Sequence, residues 1–299
     1  MSLKNIQGSL VALITPMQAD GTVDYAGLER LIEHHIAAGT DGLVIAGTTG
    51  ESATLATPEH IEVIRRSAEI INGRVPMIAG TGSNSTAQTI ELSQSVDEFP
   101  VDGYLVVTPY YNKPTQEGLY QHYVAIADAV KKPVMLYNVP GRTAVDMLPE
   151  TVARLSQHPK IFAIKEATGD LGRLVDIQKL VADDFMRYSG DDATAREFML
   201  QGGHGVISVT TNVAPKQMAA MCAAALAGDA AKAAELDEPL SALHNDLFVE
   251  ANPIPVKWAV ARQGLCSGAL RLPLTELSDA AQPAVEAALV KANALTGDA

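Results

Sequence analysis

The segment IFAIKE, residues 161–166, is a short apolar run that ends in lysine and glutamate. Its apolar residues are continuous rather than alternating, which is typical of a parallel β-strand covered on both faces. Seven further runs of similar length and character occur along the chain. The eight runs are 9–14, 42–46, 75–79, 103–107, 133–137, 161–165, 185–189 and 205–209.

Stretches with helical periodicity follow each of these runs. Eight consecutive strand–helix units with short connections predict an α/β protein with a closed (β/α)8 barrel, the TIM-barrel fold, over residues 1–228. Beyond this point only helical patterns occur, so we expect a helical appendage over residues 229–299, whose Ala-rich faces favour helix packing or a subunit contact. The predicted helices are 25–38, 58–71, 86–97, 117–130, 149–155, 171–181, 193–200 and 215–226 in the barrel, then 229–247, 255–264 and 278–293.

The charge balance excludes several classes of partner. The 299 residues include 22 Lys and Arg against 35 Asp and Glu, a formal net charge of −13. This charge repels nucleic acid and anionic membrane surfaces, so we expect neither as a partner. The N-terminal apolar run is too short to span a membrane. Because Cys222 and Cys266 form no CxxC or metal-spaced group, we expect a reducing, cytoplasmic location.

Lys165 ends the run 161–165, and barrels of this kind carry their chemistry at the carboxyl ends of the strands. Partial burial there would favour the neutral amine that a nucleophile needs, and such an amine could attack a ketone. The simpler interpretation is a lysine that reaches solvent or pairs with Glu166. Its position alone does not separate these two interpretations.

Three other strand ends carry groups that suit the same chemistry. Tyr137 ends the preceding strand, about 4.8 Å away across a sheet, and could relay protons to Lys165. In the turn GTTGE, residues 47–51, we expect the glycines to permit the unusual backbone conformations, and the successive N–H groups and two hydroxyls suit a carboxylate. Arg142, in a Pro/Gly loop, could bind a second carboxylate. Taken singly, each also fits a structural role as a core tyrosine, a simple turn or a surface arginine.

Cofactor and metal chemistry have weaker support. The segment GTGSNS, residues 80–85, resembles part of a dinucleotide-binding loop but lacks its third glycine. The seven histidines show no HExxH or similar spacing. Asp191 and Asp192 stand where a helix begins, so helix capping is their expected role. We therefore expect neither a cofactor nor a metal.

Six blocks of sequence, in order, closely resemble the dihydrodipicolinate synthase family, also called the 4-hydroxy-tetrahydrodipicolinate synthases. This family belongs to the class I aldolase superfamily, which includes N-acetylneuraminate lyase. The resemblance covers essentially the whole chain, and several such blocks in order are highly specific. The blocks are GTTGESATL (47–55), VTPYYNKP (107–114), YNVPGRT (137–143), IKEATG (164–169), SGDD (189–192) and NPIPVK (252–257).

The resemblance implies a lyase of lysine and diaminopimelate biosynthesis that joins pyruvate to aspartate semialdehyde. It also implies a homotetramer built from tight dimers. Lys165 would form the imine with pyruvate, while Tyr137, Thr48 and Tyr111 would relay protons, with Tyr111 reaching in from a neighbouring subunit. The implied substrate contacts are Thr48 and Thr49 with the pyruvate carboxylate, Arg142 with the carboxylate of the semialdehyde, and the carbonyls of Gly190 and Ile207 in the pocket wall.

Many members of the family are inhibited by lysine at the tight dimer interface, and two of the matching positions here depart from the sensitive pattern. Thr57 stands where such enzymes often place histidine, and Gln88 stands where they place glutamate. The loss of that carboxylate removes an anionic partner for the lysine ammonium, so we expect weak or absent inhibition. The matching positions are Ser52, Ala53, Thr57, His60, Asn84, Gln88 and Tyr110. The role of Lys113, near Tyr111, stays open.

Two other functions compete with this prediction. A different pyruvate-dependent lyase, acting on a sialic acid, a keto-deoxy sugar acid or a hydroxy-oxoglutarate, would share Lys165 and Tyr137. Arg142 argues against it because a guanidinium suits a carboxylated aldehyde better than a polyol. A barrel that binds a small oxo acid without turnover is the second alternative, since fold alone does not establish activity. The complete set of Lys165, Tyr137, Thr48 and Tyr111 disfavours it.

Overall fold

The computed structural model describes residues 6–295, and it confirms the predicted closed barrel. Eight parallel strands lie in chain order, and the last pairs with the first. The ends of the predicted runs lie within two residues of the ends of the strands, and the run 103–107 matches its strand without any difference. The strands are β1 (Gly8–Ala12), β2 (Gly42–Ile45), β3 (Met77–Gly80), β4 (Gly103–Val107), β5 (Val134–Asn138), β6 (Ile161–Glu166), β7 (Met186–Ser189) and β8 (Gly205–Ser208).

Helices connect successive strands and surround the barrel. Those between β1 and the end of the barrel are α1 (Tyr25–Ala38), α2 (Thr57–Ile71), α3 (Thr86–Ser95), α4 (Gln116–Ala129), α5 (Pro140–Thr143), α6 (Pro149–Ser156), α7 (Leu171–Gln178), α8 (Ala195–Leu200) and α9 (Pro215–Leu226). The C-terminal helices are α10 (Ala230–Asp237), α11 (Ser241–Asp246), α12 (Ile254–Arg262) and α13 (Gln282–Lys291).

The helix predicted over residues 229–247 is not continuous. A 3₁₀ turn, Glu238–Leu240, separates α10 from α11. Pro239 lies in this turn, and a proline inside a helix removes one backbone hydrogen bond and clashes with the preceding turn. The prediction of a single helix was therefore wrong, and Pro239 in the sequence indicated the break.

Alternation along each strand divides the apolar residues between two cores. On β5, Met135 and Tyr137 join a cluster inside the barrel, whereas Val134 and Leu136 join the cluster between the barrel and its helices. A parallel sheet with both faces covered needs this division, which explains why the strand sequences are continuously apolar.

The barrel closes through an unusually close approach of backbones. Gly8 of β1 lies opposite Gly205 of β8. A Cβ atom added to Gly205 would lie 2.3 Å from the Gly8 carbonyl oxygen, a distance that no side chain tolerates. Glycine at position 205 is therefore a requirement of closure.

The C-terminal helices share the outer core of the barrel. Leu240, Val256, Ala259 and Leu289 are buried in the same cluster as residues of α1 and α2. Apolar packing continues across residue 228. The division of the chain into two regions at this residue stays a prediction from the change in sequence pattern. Within residues 6–295, no helix has the length and apolar character needed to cross a membrane.

Candidate active site

Lys165 lies inside the barrel beside Tyr137. The two residues are register partners on β6 and β5, and the Lys165 Nζ atom lies 4.4 Å from the centroid of the Tyr137 ring. Both side chains are buried, with 6% of each residue exposed. Lys165 and Tyr137 are thus neighbours at the ends of adjacent strands, as expected from the sequence.

Glu166 faces the opposite side of β6 and does not serve Lys165. Its carboxylate accepts hydrogen bonds from Asn138 Nδ2 (3.1 Å) and from the Thr168 backbone N–H (2.9 Å). Burial raises the pKa of this carboxyl above its usual value. No ion pair between Lys165 and Glu166 occurs in the part of the chain that the structure describes. The alternative interpretation of Lys165 as a paired surface lysine therefore does not fit.

Gly190 gives the Lys165 side chain its room. A Cβ atom at this position would lie 2.8 Å from Lys165 Cε and 2.6 Å from Ala167 Cβ. Any larger residue after β7 would displace the lysine. Ile207, on the neighbouring strand β8, is buried in the barrel-interior cluster that also contains Tyr137.

The backbone turn at residues 46–51 differs from the expectation that its glycines supply the unusual conformations. Positive φ angles occur at Ala46 (53°) and Glu51 (56°), and neither Gly47 nor Gly50 adopts one. Gly50 instead allows close approach, since a Cβ there would lie 3.1 Å from the Leu13 carbonyl oxygen. Left-handed backbone at two non-glycine residues costs on the order of 1–3 kcal/mol each, so other contacts must hold this turn.

A buried ion pair supplies one of those contacts. Lys257 of α12 places Nζ 2.5 Å from Glu51 Oε1, and neither side chain is exposed to solvent. Lys257 also donates to the Ala269 carbonyl (2.7 Å), and the Arg271 backbone N–H donates to Glu51 Oε2 (3.2 Å). The C-terminal region therefore fixes the left-handed residue that ends the turn.

Asn252, just before α12, supplies a second contact. Its side-chain Nδ2 donates to Thr49 Oγ1 (2.9 Å), and its backbone carbonyl accepts from Arg142 (3.2 Å). Both Asn252 and Lys257 lie in the family block 252–257, and the sequence patterns predict no role for either. The sequence feature that could have indicated a role is the occurrence of these two polar residues beside otherwise apolar helix positions.

A cleft of about 600 Å³ brings Thr48 and Arg142 together. Val139 borders it and also belongs to the barrel-interior cluster that contains Tyr137, so the cleft adjoins the region around Lys165. The lining residues are Thr48, Ser52, Ala53, Leu55, Thr57, His60, Gly82, Ser83, Gln88, Glu91, Leu92, Val107, Tyr110, Val139, Arg142 and Thr143.

The residues that match an inhibitor site line the same cleft, with one exception. Asn84 does not border it, and the Asn84 carbonyl accepts a hydrogen bond from Asn112 Nδ2 (2.8 Å). Gln88 presents a neutral amide whose Oε1 accepts from Ser83 Oγ (3.1 Å). His60 Nε2 lies 2.8 Å from the Gly80 carbonyl, and burial lowers the pKa of its imidazole.

Tyr111 projects away from its own protomer. The residue is 88% exposed, and it does not border the cleft. The segment around it is strained, because Tyr111 and Lys113 have positive φ angles of 74° and 48°. Tyr111 therefore lies apart from the cleft of its own protomer.

Asp191 and Asp192 have different roles. Asp191 Oδ2 accepts from the Thr194 backbone N–H (3.0 Å) and hydroxyl (2.6 Å), as expected for a residue at a helix start. Asp192 instead accepts from the backbone N–H groups of Val209 and Thr210, so it holds the end of β8. Among residues 6–295, no group of three or more His, Cys, Asp or Glu is placed to hold a metal ion.

Comparison with known proteins agrees with this geometry. A family model described as the dihydrodipicolinate synthetase family matches residues 5–292. The chain belongs to this family. It is 59% identical over 278 residues to a 4-hydroxy-tetrahydrodipicolinate synthase of Alcanivorax borkumensis, which covers 93% of this chain and 95% of the relative. The predicted family, fold and Schiff-base class of enzyme are thereby confirmed.

Solved structures of family members are closely similar to the chain. One is a chloride-inhibited dihydrodipicolinate synthase from Acinetobacter baumannii, complexed with pyruvate, with 51% identity, a TM-score of 0.95 and coverage of 97% of this chain and 100% of that chain. Another is described as the first monomeric dihydrodipicolinate synthase variant, with 41% identity, a TM-score of 0.94 and coverage of 97% and 98%.

The buried ion pair predicts a large and specific loss of stability. Replacement of Lys257 by Met leaves the Glu51 carboxylate buried without its partner, which should lower the free energy of unfolding by about 3–5 kcal/mol. Lys291→Met is the matched control, because Lys291 pairs with Glu238 at an exposed site and should cost less than about 1 kcal/mol. Denaturant unfolding measures both variants. Equal losses would contradict a dominant role for the buried pair.

Proposed function

We propose that the chain is a 4-hydroxy-tetrahydrodipicolinate synthase that condenses pyruvate with aspartate semialdehyde through an imine on Lys165. The observation that carries this proposal is the burial of Lys165 inside the barrel beside Tyr137. A buried primary amine without a carboxylate partner is suited to covalent catalysis rather than to a structural ion pair. The membership of the chain in this family supports the same chemistry.

The reaction begins when Lys165 Nζ attacks the keto carbon of pyruvate. The carbinolamine then loses water to give a cationic imine, with Tyr137, Thr48 and the partner subunit's Tyr111 relaying protons. The imine withdraws electrons, so the methyl group loses a proton and becomes the carbon nucleophile of an enamine. This carbon attacks the aldehyde. The amino group of the former semialdehyde finally attacks the imine carbon, which closes the ring and releases Lys165.

Two carboxylates need separate binding groups in this mechanism. Thr48 and Thr49 hold the carboxylate of pyruvate through backbone N–H groups and a hydroxyl, and Arg142 holds that of the semialdehyde. The support is the cleft, in which Thr48 and Arg142 face the same space. Gly190 and Ile207 close the pocket around the imine, because Gly190 packs against Lys165 and Ile207 lies in the barrel interior.

The proposed assembly is a cytoplasmic homotetramer made of two tight dimers. The exposure of Tyr111 supports a dimer that completes the proton relay. Its strained backbone, together with that of Lys113, supports a loop shaped for a partner rather than for solvent. The net charge of −13 supports free diffusion without attachment to nucleic acid or anionic membrane.

The test of this function is borohydride trapping followed by an assay with aspartate semialdehyde. Pyruvate and borohydride should leave a stable adduct on Lys165, and the enzyme should consume the semialdehyde. Lys165→Ala should abolish both. Lys160→Ala is the matched control, because Lys160 precedes the same strand and bonds to the Val130 carbonyl outside the site. An adduct without consumption of the semialdehyde would indicate another pyruvate lyase, and no adduct would refute the imine.

Mixing two inactive variants tests the contribution of Tyr111 from a neighbour. In a mixed dimer of Lys165→Ala and Tyr111→Phe protomers, one site regains both an intact Lys165 and an intact Tyr111. Activity should therefore recover toward half of the wild-type value per mixed dimer. Mixtures of Lys165→Ala with Tyr137→Phe should stay inactive, because both residues belong to one protomer. Failure of the first mixture to recover, with exchange of subunits verified, would place Tyr111 in its own site.

The inhibitor-binding residues predict weak inhibition by lysine. The neutral Gln88 amide offers no charge to the lysine ammonium, so the inhibition constant should exceed about 0.1 mM, a binding free energy weaker than about 5.5 kcal/mol. Gln88→Glu should strengthen inhibition, while Lys160→Ala should not change it. Initial rates at several lysine concentrations measure this. An inhibition constant below about 0.1 mM for the unaltered enzyme would contradict the prediction.

A further inference from the structure

Asn252 hydrogen-bonds to both proposed carboxylate-binding groups, and it does so with different atoms. Its side-chain Nδ2 donates to the Thr49 hydroxyl at 2.9 Å. Its backbone carbonyl accepts from the Arg142 guanidinium at 3.2 Å. The two contacts can therefore be separated by mutation, because a side-chain replacement leaves the carbonyl in place.

The direction of the first hydrogen bond decides what the Thr49 hydroxyl can do. A threonine hydroxyl has one hydrogen to donate and two lone pairs that accept. Because Asn252 Nδ2 donates to Thr49 Oγ1, the hydroxyl accepts on that side and keeps its own hydrogen for another partner. An acid anion is a partner that only accepts. The Thr49 hydroxyl is thus oriented so that its hydrogen can be donated to a carboxylate.

Burial makes this arrangement rigid. Asn252 is 6% exposed and Thr49 is 3% exposed, so water has little access to compete for the hydroxyl. The Asn252 Oδ1 atom is buried and accepts no hydrogen bond from any group among residues 6–295. The amide of Asn252 therefore makes its side-chain hydrogen bond through Nδ2, to the Thr49 hydroxyl.

We infer that Asn252 is a positioning residue that orients the Thr49 hydroxyl as a hydrogen-bond donor to the carboxylate of the oxo-acid substrate. This inference rests on the proposed function and extends it to the C-terminal region, which supplies Asn252. Asn252 does not touch the reacting atoms. It acts through Thr49, and its side chain serves the pyruvate carboxylate alone.

The experiment compares Michaelis constants for the two substrates in four enzymes: wild type, Asn252→Ala, Thr49→Val and the double variant. Asn252→Ala should raise the KM for pyruvate about tenfold, equivalent to about 1.4 kcal/mol, because the Thr49 hydroxyl loses the hydrogen bond that fixes its orientation. The kcat and the KM for the semialdehyde should change less than about threefold, since the backbone carbonyl still holds Arg142. In the Thr49→Val background, Asn252→Ala should add nothing further.

Two further variants keep the test sharp. Asn252→Asp preserves the shape of the side chain but replaces the Nδ2 donor with an acceptor. It should therefore weaken pyruvate binding at least as much as Asn252→Ala. This variant replaces Asn252→Ala in the test if the alanine variant does not fold. Gln263→Ala is the matched control, because Gln263 is another amide of this region that bonds to the Val213 and Ala294 carbonyls away from the cleft. It should leave both Michaelis constants unchanged.

Distinct results separate failure of this inference from failure of the proposed function. If the wild type traps pyruvate on Lys165 but Asn252→Ala leaves its KM for pyruvate unchanged, the inference is overturned while the function stands. Equal increases for both substrates, or additive effects with Thr49→Val, would overturn it as well, because a merely structural residue behaves in that way. Absence of any pyruvate adduct in the wild type would refute the function itself.

Discussion

Closure of the barrel between β1 and β8 is the constraint on which the candidate site depends. A closed parallel sheet has only an inside and an outside, so alternation along each strand decides which side chains meet in the interior. Lys165 and Tyr137 lie inside, whereas Glu166 and Asn138 bond to each other outside. The same alternation thus delivers the amine to the site and keeps the adjacent carboxylate away from it.

Closure of the barrel does not determine the conformation of the turn that follows β2. Contacts from the C-terminal region hold this turn. Ala46 and Glu51 adopt left-handed conformations that cost free energy. The buried pair of Glu51 with Lys257 and the contact of Asn252 with Thr49 hold this turn from outside the barrel. Loss of either contact would leave a buried charge or a buried hydrogen-bond donor unsatisfied, which is costly. The two contacts therefore favour one conformation of the turn. The region first described as an appendage is in this sense part of the site.

Local pattern was sufficient to predict much of this molecule. Continuous apolar runs identified the strands, and strand ends placed Lys165 beside Tyr137 without knowledge of the structure. The contacts of Asn252 with Thr49 and of Lys257 with Glu51 could not be predicted in this way, since they join residues about two hundred positions apart. The backbone of the 46–51 turn was also missed, because glycine content suggested the wrong residues for positive φ. The break at Pro239, by contrast, was visible in the sequence.

The proposed role of Tyr111 rests on the family resemblance and not on a sequence pattern or on the structure of one protomer. Tyr111 is 88% exposed in its own protomer, so the proposed proton relay takes this residue from a neighbouring subunit. The most direct measurement is a crystal structure of the enzyme soaked with pyruvate. We predict continuous density from Lys165 Nζ to the keto carbon, with the carboxylate on Thr48 and Thr49 and the partner subunit's Tyr111 beside the imine. Pyruvate bound without a covalent link to Lys165, or with its carboxylate on Arg142, would contradict it.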